Sequence, residues 1–137
     1  YRLFLAICIL SLEMKNLICY NMNKLMNEEN KMKYGLKEEV YNKILSIAKE
    51  NKQYKFILFG SRARGNYKKE SDIDIAIKGN IMTDDKYRII NEFDLINTIH
   101  KIDLVFIDEF TKKELVESIN NEGVEIKWKD LKKENKT

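Results

Sequence analysis

The sequence predicts one small domain of the α/β or α+β class, and three observations predict it. Segments with helical spacing alternate with short apolar runs in the order α, β, loop, β, α, β, α, β. The chain has 137 residues, enough for one domain with a core and too few for two ordinary ones. Hydrophobic residues make up 44% and charged residues 34%, the balance of a globular chain rather than a disordered or fibrous one.

Each element has its own local reason. Residues 36–51 set Leu36, Val40, Ile44, Ile47 and Ala48 at helical spacing, with lysines and glutamates opposite, which predicts an amphipathic helix. YKFILFG, residues 54–60, is a short apolar run closed by glycine and reads as a buried strand. SRARGNYKKES is a loop with room for one helical turn, and DIDIAIK, residues 72–78, alternates strictly as a strand. Residues 79–83 turn the chain. Asp84 and Asp85 favour a helix start, and Tyr87, Ile90, Phe93, Ile96 and Ile99 carry near-helical spacing through His100. KIDLVFID, residues 101–108, is a third strand. Thr111 and Glu114 form a capping-box pattern for a helix to about Asn120, Gly123 ends it, and VEIKW is a fourth short strand.

The ends of the chain read differently from its middle. LFLAICIL, residues 3–10, is eight residues long, whereas a membrane helix needs about 20. Arg2 precedes it, but SLEMKN offers no small-residue cleavage site, so a signal peptide is not supported either. Residues 1–31 are therefore expected to be an extension upstream of the domain, with Met32 as the start of the family unit, 32–128 as the domain and 129–137 as a solvated tail. Cys8 and Cys19 have neither metal-ligand spacing nor a disulfide framework, which points to a reducing, cytoplasmic setting with no membrane role. The net charge of +3 is mild and the lysines are interspersed with glutamates, which argues against nucleic acid as the main partner.

The chemistry concentrates in FGSRARGNYKKESDIDIAI, residues 59–77. Asp72 and Asp74 lie two apart on a strand, so both project from one face while Ile73, Ile75 and Ile77 project from the other. A half-exposed strand with polar residues outside would also alternate. Two adjacent carboxylates, however, repel each other unless a cation lies between them. Crowded hard oxygens suit Mg²⁺ or Mn²⁺, especially when substrate phosphates complete the shell. The loop before them brings Gly60, where bare backbone can approach a ligand, Ser61, whose hydroxyl and neighbouring N–H groups can face an anion, and two of the chain's few arginines, Arg62 and Arg64. An ordinary surface turn would explain the glycines but not the serine and arginines with them. Two-metal phosphoryl chemistry calls for a third carboxylate, and Asp103, at the head of LVF on the next strand, is favoured over Asp108 at that strand's far end and Asp94 on a helix.

Gly60-Ser61, ten residues, Asp72-Ile73-Asp74, and then a strand with Asp103 together resemble the nucleotidyltransferase superfamily typified by DNA polymerase beta. GSRARG…SDIDIAI and the single-domain length resemble, more narrowly, the minimal nucleotidyltransferase (MNT) antitoxins encoded beside HEPN-domain toxins. The resemblance covers residues 32–128. It implies a small mixed β-sheet flanked by helices. It further implies that Asp72 and Asp74 hold two Mg²⁺ ions, one on the triphosphate and one at the attacking oxygen. Asp103 would complete the second metal site and help deprotonate the acceptor, and Gly60 and Ser61 would bind the β and γ phosphates. Arg62 and Arg64 would neutralise the pyrophosphate, or one of them would brace the loop. The reaction implied is transfer of a nucleoside monophosphate to an acceptor with release of pyrophosphate.

The chain is too short to add an acceptor-binding domain, so the acceptor should bring its own surface. MNT antitoxins, by resemblance, transfer AMP from ATP to a tyrosine of the HEPN toxin, an RNase, in a type VII-like toxin–antitoxin pair. The toxin half is not in this chain, since no arginine is followed four to six residues later by histidine. His100, the only histidine, reads as a helix-end residue. Two other readings stand beside this one. One is an aminoglycoside-type small-molecule transferase with a separate acceptor-binding subunit; the other is an antitoxin that acts by binding alone. The aspartate triad argues against the last, because binding does not require three clustered carboxylates.

Overall fold

The computed structural model describes residues 11–29 and 33–128. The chain divides into two units, one ending at Lys31 and one beginning at Met32. The first contains a single described helix, α1 (Leu12–Glu29). The apolar run at 3–10 and the tail at 129–137 lie outside the described residues. Among the described residues no helix is long and apolar enough to cross a membrane.

The second unit is built in the order α2 (Glu38–Glu50), β1 (Lys55–Phe59), α3 (Gly60–Arg64), β2 (Ile73–Lys78), α4 (Thr83–Asp94), β3 (Ile102–Ile107), α5 (Lys113–Glu122) and β4 (Val124–Glu125). The sheet order is β3-β2-β1-β4. β1 pairs antiparallel with both β2 and β4, while β2 and β3 are parallel. A parallel pair needs a crossover, and α4 supplies it. The result is the mixed sheet flanked by helices that the sequence predicts.

The two faces of β2 enter different cores. Ile73, Ile75 and Ile77 are fully buried with Phe56 and Leu58 of β1, against Val40, Ile44 and Leu45 of α2 and Ile89 and Phe93 of α4. Burying an isoleucine contributes about 1.5–3 kcal/mol, so three on one face anchor the sheet firmly. The opposite face carries a smaller cluster in which Ala76 and Phe59 meet Ile119 and Leu115 of α5. The second face of β2 is thus an apolar seat for α5 at Ala76, with Asp72 and Asp74 at one end and the exposed Lys78 at the other, rather than a plain solvent face.

Several element ends differ from expectation, for identifiable reasons. α4 stops at Asp94 instead of His100, because after Phe93 only Ile96 stays buried, while Leu95 and Ile99 are largely exposed. Thr111 does not cap α5, which starts at Lys113 with Lys112 as its cap; the Thr111 hydroxyl is engaged with Asp108 instead, accepting from its N–H at 2.9 Å. The N-cap of the loop helix is Phe59, and α3 begins at Gly60. β4 is shorter than VEIKW, covering only Val124–Glu125. Before α2, Tyr34 and Gly35 both adopt left-handed backbone (φ 58° and 70°) in a tight turn closed by Leu36 N–H to Lys33 C=O at 3.0 Å.

Candidate active site

The sheet register sets the site. Asp74 is the partner of Asp103 across the parallel β2–β3 ladder and of Phe59 across the antiparallel β1–β2 ladder. Register partners project from the same face, and neighbouring strands lie about 4.8 Å apart, so Asp74 and Asp103 are side by side. Asp72, two residues earlier, shares that face. The bond from Ile73 N–H to Lys101 C=O (2.8 Å) carries the β2–β3 ladder one step beyond β3 and ties the chain beside Asp72. Gly60 follows Phe59 directly, which brings the loop helix over Asp74.

Gly60 has φ +74°, and a Cβ added there would collide with the Asp74 carboxylate. Both facts demand glycine, since the left-handed region is costly for other residues and no side-chain atom fits. This is the closest structural link between the glycine-serine turn and the aspartates. Gly65, in left-handed backbone at φ +87°, then closes α3 through its N–H to the Ser61 carbonyl (2.9 Å).

The electrostatics are those of crowded like charges. Asp74 is half-buried, and its pKa is raised above the ordinary aspartate value by burial first, then by the charges of Asp103 and Asp72. Arg64 and Lys101 partly offset that rise. Asp72 is exposed, and the Asp103 carboxylate is 39% exposed. One Asp103 oxygen lies 3.0 Å from Lys101 Nζ. Among the described residues no three His, Cys, Asp or Glu side chains converge as they stand on a point that would hold an ion. The donor chemistry nonetheless suits a hard divalent cation. All three groups are carboxylates, and their mutual repulsion on Asp74 is what a bound cation relieves.

The two loop arginines part company. Arg62 is 1% exposed, and its guanidinium points into the protein. Nε and Nη2 donate to the Ser71 carbonyl (3.1 and 2.8 Å), and Nη1 donates to the carbonyls of Tyr34 and Gly35 (3.1 and 3.2 Å). Nη2 also donates to His100 Nδ1 at 3.3 Å. Tyr67 covers the group with its ring, 5.1 Å from the guanidinium carbon. Because arginine only donates, Nδ1 of His100 is the acceptor and that ring is neutral, in keeping with a pKa lowered by burial and then by Arg62. Arg62 is therefore a brace joining the α2 turn, the start of β2 and the approach to β3. Arg64 is exposed and paired with Glu122 of α5 at 3.0 Å.

The structure thus brings together Gly60, Asp72, Asp74 and Asp103, with Ser61 and Arg64 on the adjoining α3 turn, and turns Arg62 away. Asp108 lies beyond the opposite end of β3, and Asp94 is exposed at the end of α4. Sequence reasoning missed Lys101 at the site; its spacing of two from Asp103 carried the signal. A cavity of about 510 Å³ lies on the α2 side of the brace, lined among others by Val40, Arg62, Tyr67 and His100, and none of the three aspartates lines it.

The family model described as "Polymerase beta, Nucleotidyltransferase" matches residues 42–132. A solved structure described as a crystal structure of the toxin-antitoxin with AMP-PNP is similar at 22% sequence identity, with a TM-score of 0.46, over 63% of this chain and 71% of that one. No curated protein matches the chain.

Proposed function

The chain belongs to the polymerase beta nucleotidyltransferase family, and on that premise we propose that it transfers AMP from ATP to a protein hydroxyl, a tyrosine of a partner HEPN toxin, and so serves as the antitoxin of the pair. The observation that carries the reading is the register of Asp74 with Asp103, beside a glycine whose missing side chain makes room for the Asp74 carboxylate.

Asp72, Asp74 and Asp103 would hold the Mg²⁺ ions, which when bound neutralise the triphosphate and polarise the reacting phosphorus. Gly60 and Ser61 present backbone and hydroxyl to the β and γ phosphates. Arg64, on the outer side of α3, adds positive charge there, while Arg62 fixes the shape of the loop. Asp103 takes the proton of the acceptor hydroxyl as its oxygen attacks the α-phosphorus, and pyrophosphate leaves with the broken Pα–O bond. The contribution of the protein is orientation and charge stabilisation rather than covalent chemistry. A partner protein would present its hydroxyl to the aspartate face where Asp72 is exposed.

The test is transfer of label from α-labelled ATP, with Mg²⁺, to the product of the neighbouring gene. Label on that protein, lost in Asp72→Ala/Asp74→Ala, supports the reading. If the double variant protects cells as well as wild type and no label moves, the enzymatic reading is wrong and neutralisation by binding alone replaces it.

A further inference from the structure

Lys101 stands one residue before β3 and two before Asp103, so its side chain leaves the chain on the aspartate face. Its ammonium lies 3.0 Å from Asp103 Oδ1. The other cations nearby are committed elsewhere. Arg64 is paired with Glu122, and Arg62 is buried in its brace. Lys101 is also 69% exposed, on a flexible four-carbon stem, and can swing into solvent without disturbing the core.

We propose that Lys101 is a positioning residue that holds the place of a cation on Asp103 until a divalent ion displaces it, so that ion entry and release of Lys101 are one exchange. The observation behind it is the contact itself: among the described ion pairs, Asp103 is the one aspartate of the three that holds an ammonium. An ammonium and a divalent ion repel each other at one carboxylate, so an ion bound at Asp103 favours release of Lys101. The inference rests on the reading of the three aspartates as metal ligands.

The experiment titrates Mn²⁺ into nucleotide-free protein and follows the loss of the free-ion electron paramagnetic resonance signal, which needs no turnover. Removing an exposed ion pair shifts an equilibrium by about 1.4-fold to fivefold. Lys101→Met is therefore expected to bind Mn²⁺ more tightly by that factor, while Lys101→Arg, which keeps the cation, binds no more tightly than wild type. Arg64→Met removes a nearby charge that is not bonded to the triad and is expected to change the affinity less. If Lys101→Met binds no more tightly than wild type, or no more tightly than Arg64→Met, the exchange is overturned while the metal site stands. If none of the four proteins binds Mn²⁺, the metal reading fails and the exchange fails with it.

Discussion

The two faces of β2 are one residue apart in sequence and opposite in purpose. On one, Ile73, Ile75 and Ile77 are sealed between α2 and α4. On the other, α5 covers Ala76 and stops, leaving Asp74 half-buried and Asp72 exposed. The difference teaches how a small domain affords a reactive surface. Stability is concentrated in the isoleucine face, so the aspartate face can carry mutually repelling charges at modest cost to the fold.

The comparison breaks most visibly on the aspartate face. Asp74→Ala is expected to abolish the proposed AMP transfer, measured as label on the acceptor, while circular dichroism and melting remain those of a folded protein. A loss of both would mean that the face also holds the fold. On the isoleucine face the result should reverse. Ile75→Ala leaves a cavity in a fully buried site and is expected to cost about 2–5 kcal/mol in denaturant unfolding.

The loop arginines sharpen the contrast at an intermediate level. Arg62→Lys cannot span the Ser71, Tyr34 and Gly35 carbonyls with one ammonium, and is expected to cost about 2–4 kcal/mol. Arg64→Lys alters only an exposed pair and should change stability by about 1 kcal/mol or less. Equal losses would remove the distinction between brace and surface charge.

The smallest effect is a pH dependence. The folded state raises the pKa of Asp74, so it favours the protonated acid. That favourable contribution is complete below the ordinary value near 3.8 and is lost as pH climbs through the raised value. At neutral pH without metal the charged Asp74 is therefore a burden, and Asp74→Asn should raise the melting temperature slightly at pH 7, with the gain fading in acid. His100 runs the other way. Its lowered pKa means stability present above the ordinary histidine value of 6.5 and lost as pH falls through the folded value. His100→Gln should blunt that acid-side loss in the same melts.

Much of this was legible in the sequence, because period carries it. The order of elements, the isoleucine core and the shared face of Asp72 and Asp74 all follow from alternation and helical spacing. The family resemblance in GSRARG…SDIDIAI is upheld at the level of the polymerase beta nucleotidyltransferase family. What sequence could not supply was direction. Arg62 and Arg64 are equivalent on paper, yet the roughly half helical turn between them sends the first into the protein and the second out. Ile99 continued a helical pattern and proved to be exposed, because periodicity cannot say where tertiary packing ceases to reward another turn. Thr111 and Glu114 formed a capping pattern, but Asp108 took the threonine hydroxyl first.

The Arg62 brace also governs how the loop yields to proteases. Trypsin must thread a basic side chain into its own pocket. Arg64, Lys68 and Lys69 are exposed and offer themselves from the folded state, whereas Arg62 is held by three carbonyls, a histidine and a covering tyrosine. Cleavage after Arg62 therefore requires the α2 turn, the start of β2 and the His100 segment to let go together. The rate of that one cut is a clock for the cooperative opening of the site, set against nicks a few residues away that report only surface access.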